Sequence, residues 1–157
     1  MKLLRQLLEN DSNQFLRTRE EIEAWLQKMN IRNYTIRDNL MVDVDGDVDL
    51  SRKRLSFIPV KFWEVSGSFY CSDNQLTSLK FAPREVGRDF TCFSNQLTSL
   101  KGAPREINGG FDCSNNNLKS LDGAPKEVGQ DFWCRRNQLE SLDGIGNVGG
   151  RIYSDLK

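Results

Sequence analysis

The 157 residues include no histidine, and 22 basic side chains balance 22 acidic ones. Without imidazole there is no Ser-His-Asp or Cys-His catalysis, no His-ligated zinc or haem, and no ordinary switch at physiological pH. Zero net charge gives no overall electrostatic attraction to nucleic acid or an anionic membrane. Apolar residues make up 38% of the chain. An ordinary globular chain carries about 45–50%, glycine counted. No run approaches the roughly 18 apolar residues that suggest a membrane span. The opening stretch, Met1 to Glu9, is broken by Arg5, Gln6 and Glu9 and makes a poor secretory signal. A cytoplasmic protein is expected, with its four cysteines reduced. The G-x-x-x-x-G-K-[ST] phosphate loop is also missing.

What the sequence does have is a period. Cys71, Cys92, Cys113 and Cys134 each lie 21 residues from the last. Leu76, Leu97, Leu118 and Leu139 keep the same step, as do Leu79, Leu100, Leu121 and Leu142. Phe69, Phe90, Phe111 and Phe132 form another column, which Ile152 continues one residue early. Val65, Val86, Ile107, Val128 and Val148 form a further one. Asn74, Asn95, Asn116 and Asn137 make a polar column, and Pro83, Pro104 and Pro125 a column outside the strands. Upstream, Val44, Val48, Leu50, Leu55 and Ile58 fall in the same phase. A fixed period of this length predicts a solenoid. The array is expected over residues 41–157, about five coils, with residues 1–40 as a separate N-terminal unit.

Within a coil, Phe-x-Cys alternates with period two and predicts a short strand with both side chains inward. Asparagine turns the chain, Leu-x-x-Leu returns it, and Ala-Pro closes the coil. One coil cannot bury its own apolar edge, so coils must stack. A buried asparagine amide needs partners, and backbone groups of the neighbouring turn are the natural ones. The first coil carries Lys53 in that column, tolerable where a neighbour exists on one side only.

Phe90-Thr-Cys92-Phe-Ser-Asn95-Gln-Leu97-Thr-Ser-Leu100 resembles the leucine-rich repeat, L-x-L-x-x-N-x-L-x-x-L. The resemblance implies a leucine-rich-repeat solenoid of the α/β type, with a short parallel sheet, 21-residue coils and an α-helical N-terminal cap. The segment Leu-x-x-Ala-Pro-x-Glu-Val resembles the short repeats of secreted bacterial effectors, one residue longer and with Ala for their middle Leu. The repeat as a whole is similar to small repeat proteins encoded by tailed bacteriophages. That likeness implies a protein that engages a host factor, such as a defence protein, in the host cytoplasm.

At the N-terminus, Leu3, Leu4, Leu7 and Leu8 share one helical face. Thr18-Arg-Glu-Glu21 reads as a capping box. It opens a helix with Ile22, Trp25, Leu26 and Met29 at i, i+3, i+4 and i+7. Tyr34-Thr-Ile36 begins a strand. This unit is read as a cap over the first coil, the other reading being a partner-binding hairpin. At the C-terminus only Leu156 and Lys157 follow the last strand, Gly150 to Asp155. An uncovered edge invites another strand, and Arg151, Asp155 and Lys157 are the charges set against it.

Two constellations suggest metal. Asp43-Val-Asp45-Gly-Asp47-Val-Asp49 resembles a calcium loop, but its glycine follows the second Asp and position 12 is Arg54 rather than Glu. It lies in repeat register, so an edge strand with valines inward is expected. The four cysteines suggest zinc, but a column at about 4.8 Å steps is a line and not a tetrahedron. They are expected as a small apolar ladder. No cofactor is expected.

Function is sought where the sequence departs from the repeat. Positions flanking Cys point away from the core, and most are small or acidic. The exceptions are Tyr70, Phe93, Trp133, Arg135, Arg136, Arg151 and Tyr153. Aromatics and arginine are enriched at binding hot spots. These seven are expected to bind a protein partner through the concave sheet, without catalysis. The acidic strand and zero net charge argue against the alternative of stacking single-stranded nucleic acid. A second alternative is a structural or virion-associated protein that assembles through its open C-terminal edge. The chain is expected to be a monomer or an edge-mediated dimer.

Overall fold

A computed structural model describes residues 15–157. The amphipathic stretch from Lys2 to Glu9 lies outside the described residues. Among the described residues, one short helix, α1 (Arg19–Lys28), is followed by thirteen strands. They are β1 (Tyr34–Ile36), β2 (Val42–Val44), β3 (Val48–Asp49), β4 (Phe62–Val65), β5 (Phe69–Tyr70), β6 (Glu85–Val86), β7 (Phe90–Thr91), β8 (Glu106–Ile107), β9 (Phe111–Asp112), β10 (Glu127–Val128), β11 (Phe132–Trp133), β12 (Asn147–Val148) and β13 (Ile152–Tyr153).

The coils of about 21 residues stack into a solenoid of about five turns with parallel sheets. There are two sheets, where the sequence suggested one. The expected Phe-x-Cys strands pair in the order β3-β5-β7-β9-β11-β13. The segment before each of them forms a second sheet, ordered β1-β2-β4-β6-β8-β10-β12. The reason is local. Glu-Val repeats the inward–outward alternation, with Val86, Ile107 and Val128 buried and Glu85, Glu106 and Glu127 exposed. Three residues then turn the corner into Phe. β1 departs from the parallel pattern and pairs antiparallel with β2.

The columns close into one core. Phe69, Phe90, Phe111 and Phe132 are fully buried, as are Leu76, Leu97 and Leu118. The rings run as a spine. Trp25 meets Phe62 at 6.4 Å, Phe62 meets Phe69 at 5.2 Å, and Phe69 stacks on Phe90 at 5.4 Å with 5° between planes. Phe111 and Phe132 continue it. The cysteines are buried and free. Val44 and Val48 are buried and in repeat register, but the Asp43–Asp49 run is not the single edge strand expected: it turns a corner at Gly46 between β2, which lies between β1 and β4, and β3, at the edge of the other sheet. The carboxylates of the run serve the fold. Asp43 pairs with Arg37 at 2.6 Å, Asp45 accepts from the Ser66 hydroxyl, Asp47 from the Ser68 N–H, and Asp49 from the Ser51 N–H.

The asparagine column is a hydrogen-bonded ladder with a direction. The Asn95 carbonyl accepts the Leu76 N–H, and its amide donates to Cys71, Cys92 and Phe93 carbonyls. Asn116 and Asn137 do the same one and two coils on. Each asparagine thus ties its coil to the preceding one. Lys53 in the first coil has no earlier coil to tie.

The helix begins with the expected capping box, Thr18 and Glu21 bonding each other's backbone. Ile22, Trp25 and Leu26 are buried against the core. Arg19 Nη1 donates to the Ile36 carbonyl, and the Leu16 N–H to the Pro59 carbonyl, which ties this segment to the first coils.

Candidate protein-binding face

The outward positions of the six-stranded sheet stand in register as Asp49, Tyr70, Thr91, Asp112, Trp133 and Tyr153. At the C-terminal end this column becomes aromatic. Trp133 and Tyr153 stack with centroids 5.6 Å apart and 6° between planes. The Arg135 guanidinium carbon lies 5.5 Å from the Tyr153 ring centre, within cation–π range.

The corner before these strands explains how Trp133 is seated. Residues just before the Phe column reach forward and accept an N–H of the next coil. Asp47 accepts from Ser68, the Ser68 hydroxyl from Asp89, Asp89 from Gly110, and Asp131 from Arg151. Gly67, Gly109 and Gly150 leave room for those carboxylates, because a Cβ there would collide with Asp47, Asp89 and Asp131. Gly110 interrupts the ladder, and the Trp133 indole lies over it. A Cβ at Gly110 would sit 2.7 Å from Trp133 Cζ3.

The seven candidate residues therefore fall into two groups. Trp133, Arg135 and Tyr153 form one cluster, and exposed Arg136 and Arg151 belong to the same end of the sheet. Arg136 has φ 55°, and its N–H donates to the Asp155 carboxylate. Tyr70 stands three strands from Trp133, and Phe93 follows β7; both are half-buried.

Sequence reasoning missed the outward face of the other sheet. Asp43, Glu64, Glu85, Glu106 and Glu127 stand side by side on consecutive parallel strands. With Asn33 and Asn108, the first four line an open groove of about 480 Å³. Their 21-residue spacing was the available signal, in phase with the cysteines. Trp63 was missed too. It is the extra residue of a bulge, since Val42 pairs with Phe62 but Asp43 with Glu64. Arg37 and Arg84 approach its ring at 5.6 and 5.1 Å.

Among the described residues no three Cys, Asp or Glu side chains converge on a point that would hold a metal ion. Burial pushes the thiols of Cys71, Cys92 and Cys113 well above their ordinary value. Burial, then the charges of Asp155 and Asp112, push Cys134 up to about 11. A thiol held neutral is a poor nucleophile and a poor metal ligand. Among the described residues no helix is long and apolar enough to cross a membrane. No protein-family model matches the chain, and no curated protein or solved structure matches it at a significant level.

Proposed function

We propose that this chain is a non-enzymatic recognition module of the leucine-rich-repeat kind, which binds a protein partner through the outward face of its six-stranded sheet. Helix α1 and β1 act as its N-terminal cap, since they bury the apolar end of the first coil. The observation that carries the reading is the Trp133–Tyr153–Arg135 stack. The repeat requires nothing large at these positions: earlier coils place Asp49, Tyr70, Thr91 and Asp112 there, and only at the C-terminal end do two aromatics fall on neighbouring strands. Rings stacked on each other and on a strand are preordered, so docking against them costs little side-chain entropy. The phage-like repeat wording supports a host protein as partner, such as a defence factor met in the host cytoplasm.

The test is affinity capture from bacterial host extract followed by a binding titration with the captured protein. Trp133→Ala should weaken binding about thirtyfold or more, as loss of a central aromatic anchor does. Gly110→Ala should weaken it as well, because the new methyl group displaces the indole from its seat. Arg105→Ala and Lys126→Ala, on the return path, should bind normally. Normal binding by Trp133→Ala with loss in Arg105→Ala would place recognition on the convex return side of the coils.

A further inference from the structure

Among the described residues the exposed large hydrophobic side chains are Ile152 and Leu156, at 42% and 36%. Both belong to the end of the last coil. Beside them Leu139, Leu142 and Val148 are only partly buried, whereas Leu118, Leu121 and Val128 one coil earlier are buried. Among the described residues, then, nothing covers the last coil's cross-section of the core or the outer edge of β13.

The ladder decides which groups that edge offers. The Phe132 N–H donates to the Arg151 carbonyl, and the Cys134 N–H to the Tyr153 carbonyl. In a parallel ladder both backbone groups of a residue face the same neighbour, and successive residues alternate. Arg151 and Tyr153 therefore spend their backbone groups on β11, while Ile152 and Ser154 turn theirs to the open side. Any added strand must meet those two residues.

We propose that the open end pairs with a second copy of this chain, β13 against β13, antiparallel about a two-fold axis. Two-fold pairing makes a residue's partner on one strand the mirror of its partner on the other. Ile152 can then face itself or Ser154, and each choice fixes the register. When Ile152 faces Ser154, Tyr153 faces Tyr153, and Arg151 faces Asp155 at both ends of the pair. The other two registers, centred on Ile152 or on Ser154, oppose Arg151 to Tyr153 or to Lys157. Charge complementarity selects the first. In it Arg151, Tyr153 and Asp155 occupy the non-hydrogen-bonded positions, where facing side chains come closest. The charges that looked like protection against edge pairing are complementary to their own copies. The backbone N–H of Arg136 already holds the Asp155 carboxylate at the strand end.

The pairing joins two six-stranded sheets into one and brings the two Trp133–Tyr153 stacks side by side. It stands apart from the partner reading above, because the edge can pair whether or not the sheet face binds anything.

The experiment is sedimentation equilibrium of the purified full chain over a concentration series, with circular dichroism melts of every variant. The wild type should show a monomer–dimer equilibrium. Arg151→Asp and Asp155→Arg should each weaken it tenfold or more, since each sets like charges opposite. The double variant Arg151→Asp/Asp155→Arg should restore it to near the wild-type constant. Ile152→Pro removes an N–H that faces the open side, so it should abolish the dimer while the chain stays folded. A chain monomeric up to about 1 mM, where the association energy would be only about 4 kcal/mol, overturns the proposal. So does a dimer that survives Ile152→Pro, or a double variant that folds but stays monomeric.

Discussion

Asn95 shows what a single side chain contributes to this fold. It satisfies the Leu76 N–H and the Cys71 and Cys92 carbonyls in two coils, groups that would each cost about 1–3 kcal/mol if buried without a partner. That its column needs backbone partners follows from the sequence. That every asparagine reaches backward does not, because a column read from spacing has no direction. The cysteines complement the asparagines, as small buried side chains that must stay neutral. Their thiols ionise near 9 when unfolded and only well above it when folded, with Cys134 at about 11. Below pH 9 this difference leaves stability untouched. Above it the unfolded chain loses protons that the folded chain keeps, so stability falls as pH rises. Each thiol should contribute a slope of up to about 1.4 kcal/mol per pH unit between its unfolded and folded values. Urea melts from pH 8 to pH 10.5 should show the decline. Cys113→Ala should be less stable at pH 8 yet lose less on going to pH 10.5. An equal loss would mean that the thiols do not govern alkaline stability.

The strands of this molecule are two to four residues long, and such elements carry little sequence signal of their own. The Phe-x-Cys strand was legible because two inward residues flank one outward residue in every coil. The Glu-Val strand was not, because it offers a single inward residue, and Val86 or Ile107 fits a turn as readily as a strand. Trp63 was illegible for another reason, since a bulge has no counterpart in the other coils. The cost of the missed sheet lies on its outward face. Five carboxylates stand in register at steps of about 4.8 Å, and like charges directly opposite each other destabilise a sheet. Added salt screens them, so the melting temperature should rise between about 10 mM and 300 mM sodium chloride. Glu85→Gln, in the middle of the row, should raise it by roughly 1–3 °C at low salt and by less at high salt. A Glu85→Gln variant with a lower melting temperature, checked at both salts, would mean that the row is not under mutual repulsion.

A stack in which each coil touches only its neighbours draws its stability from those interfaces. At the N-terminal end, Val44, Val48 and Leu50 of the first coil are fully packed and lie in the same core as Trp25 and Leu26 of α1. Among the described residues the last coil has a neighbour on one side, and the exposure of Ile152 is the mark of it. The lengths of the columns already imply this asymmetry, since the Cys column stops at Cys134 while the strand at Ile152 goes on. What the sequence could not reveal is how the open end is shaped, because that depends on Leu139, Leu142 and Val148 losing the cover that their equivalents enjoy. The difference has a measurable consequence. Local opening costs least where the fewest apolar contacts must be broken. In dilute monomer, amide hydrogen exchange should therefore be slowest in β5, β7 and β9, faster in β11, and fastest in β12 and β13. The N–H of Cys134 reports on this directly, since its acceptor is the Tyr153 carbonyl of the end strand, whereas the N–H of Cys92 bonds Asp112 inside the stack. Cys134 should exchange at least tenfold faster than Cys92, a difference of about 1.4 kcal/mol in opening free energy. Raising the concentration until the chain dimerises should slow Cys134 and leave Cys92 unchanged, because only the end coil gains a neighbour. Equal protection of the two amides in dilute solution would mean that the solenoid opens as one unit, and that its two ends do not differ in stability as their packing does.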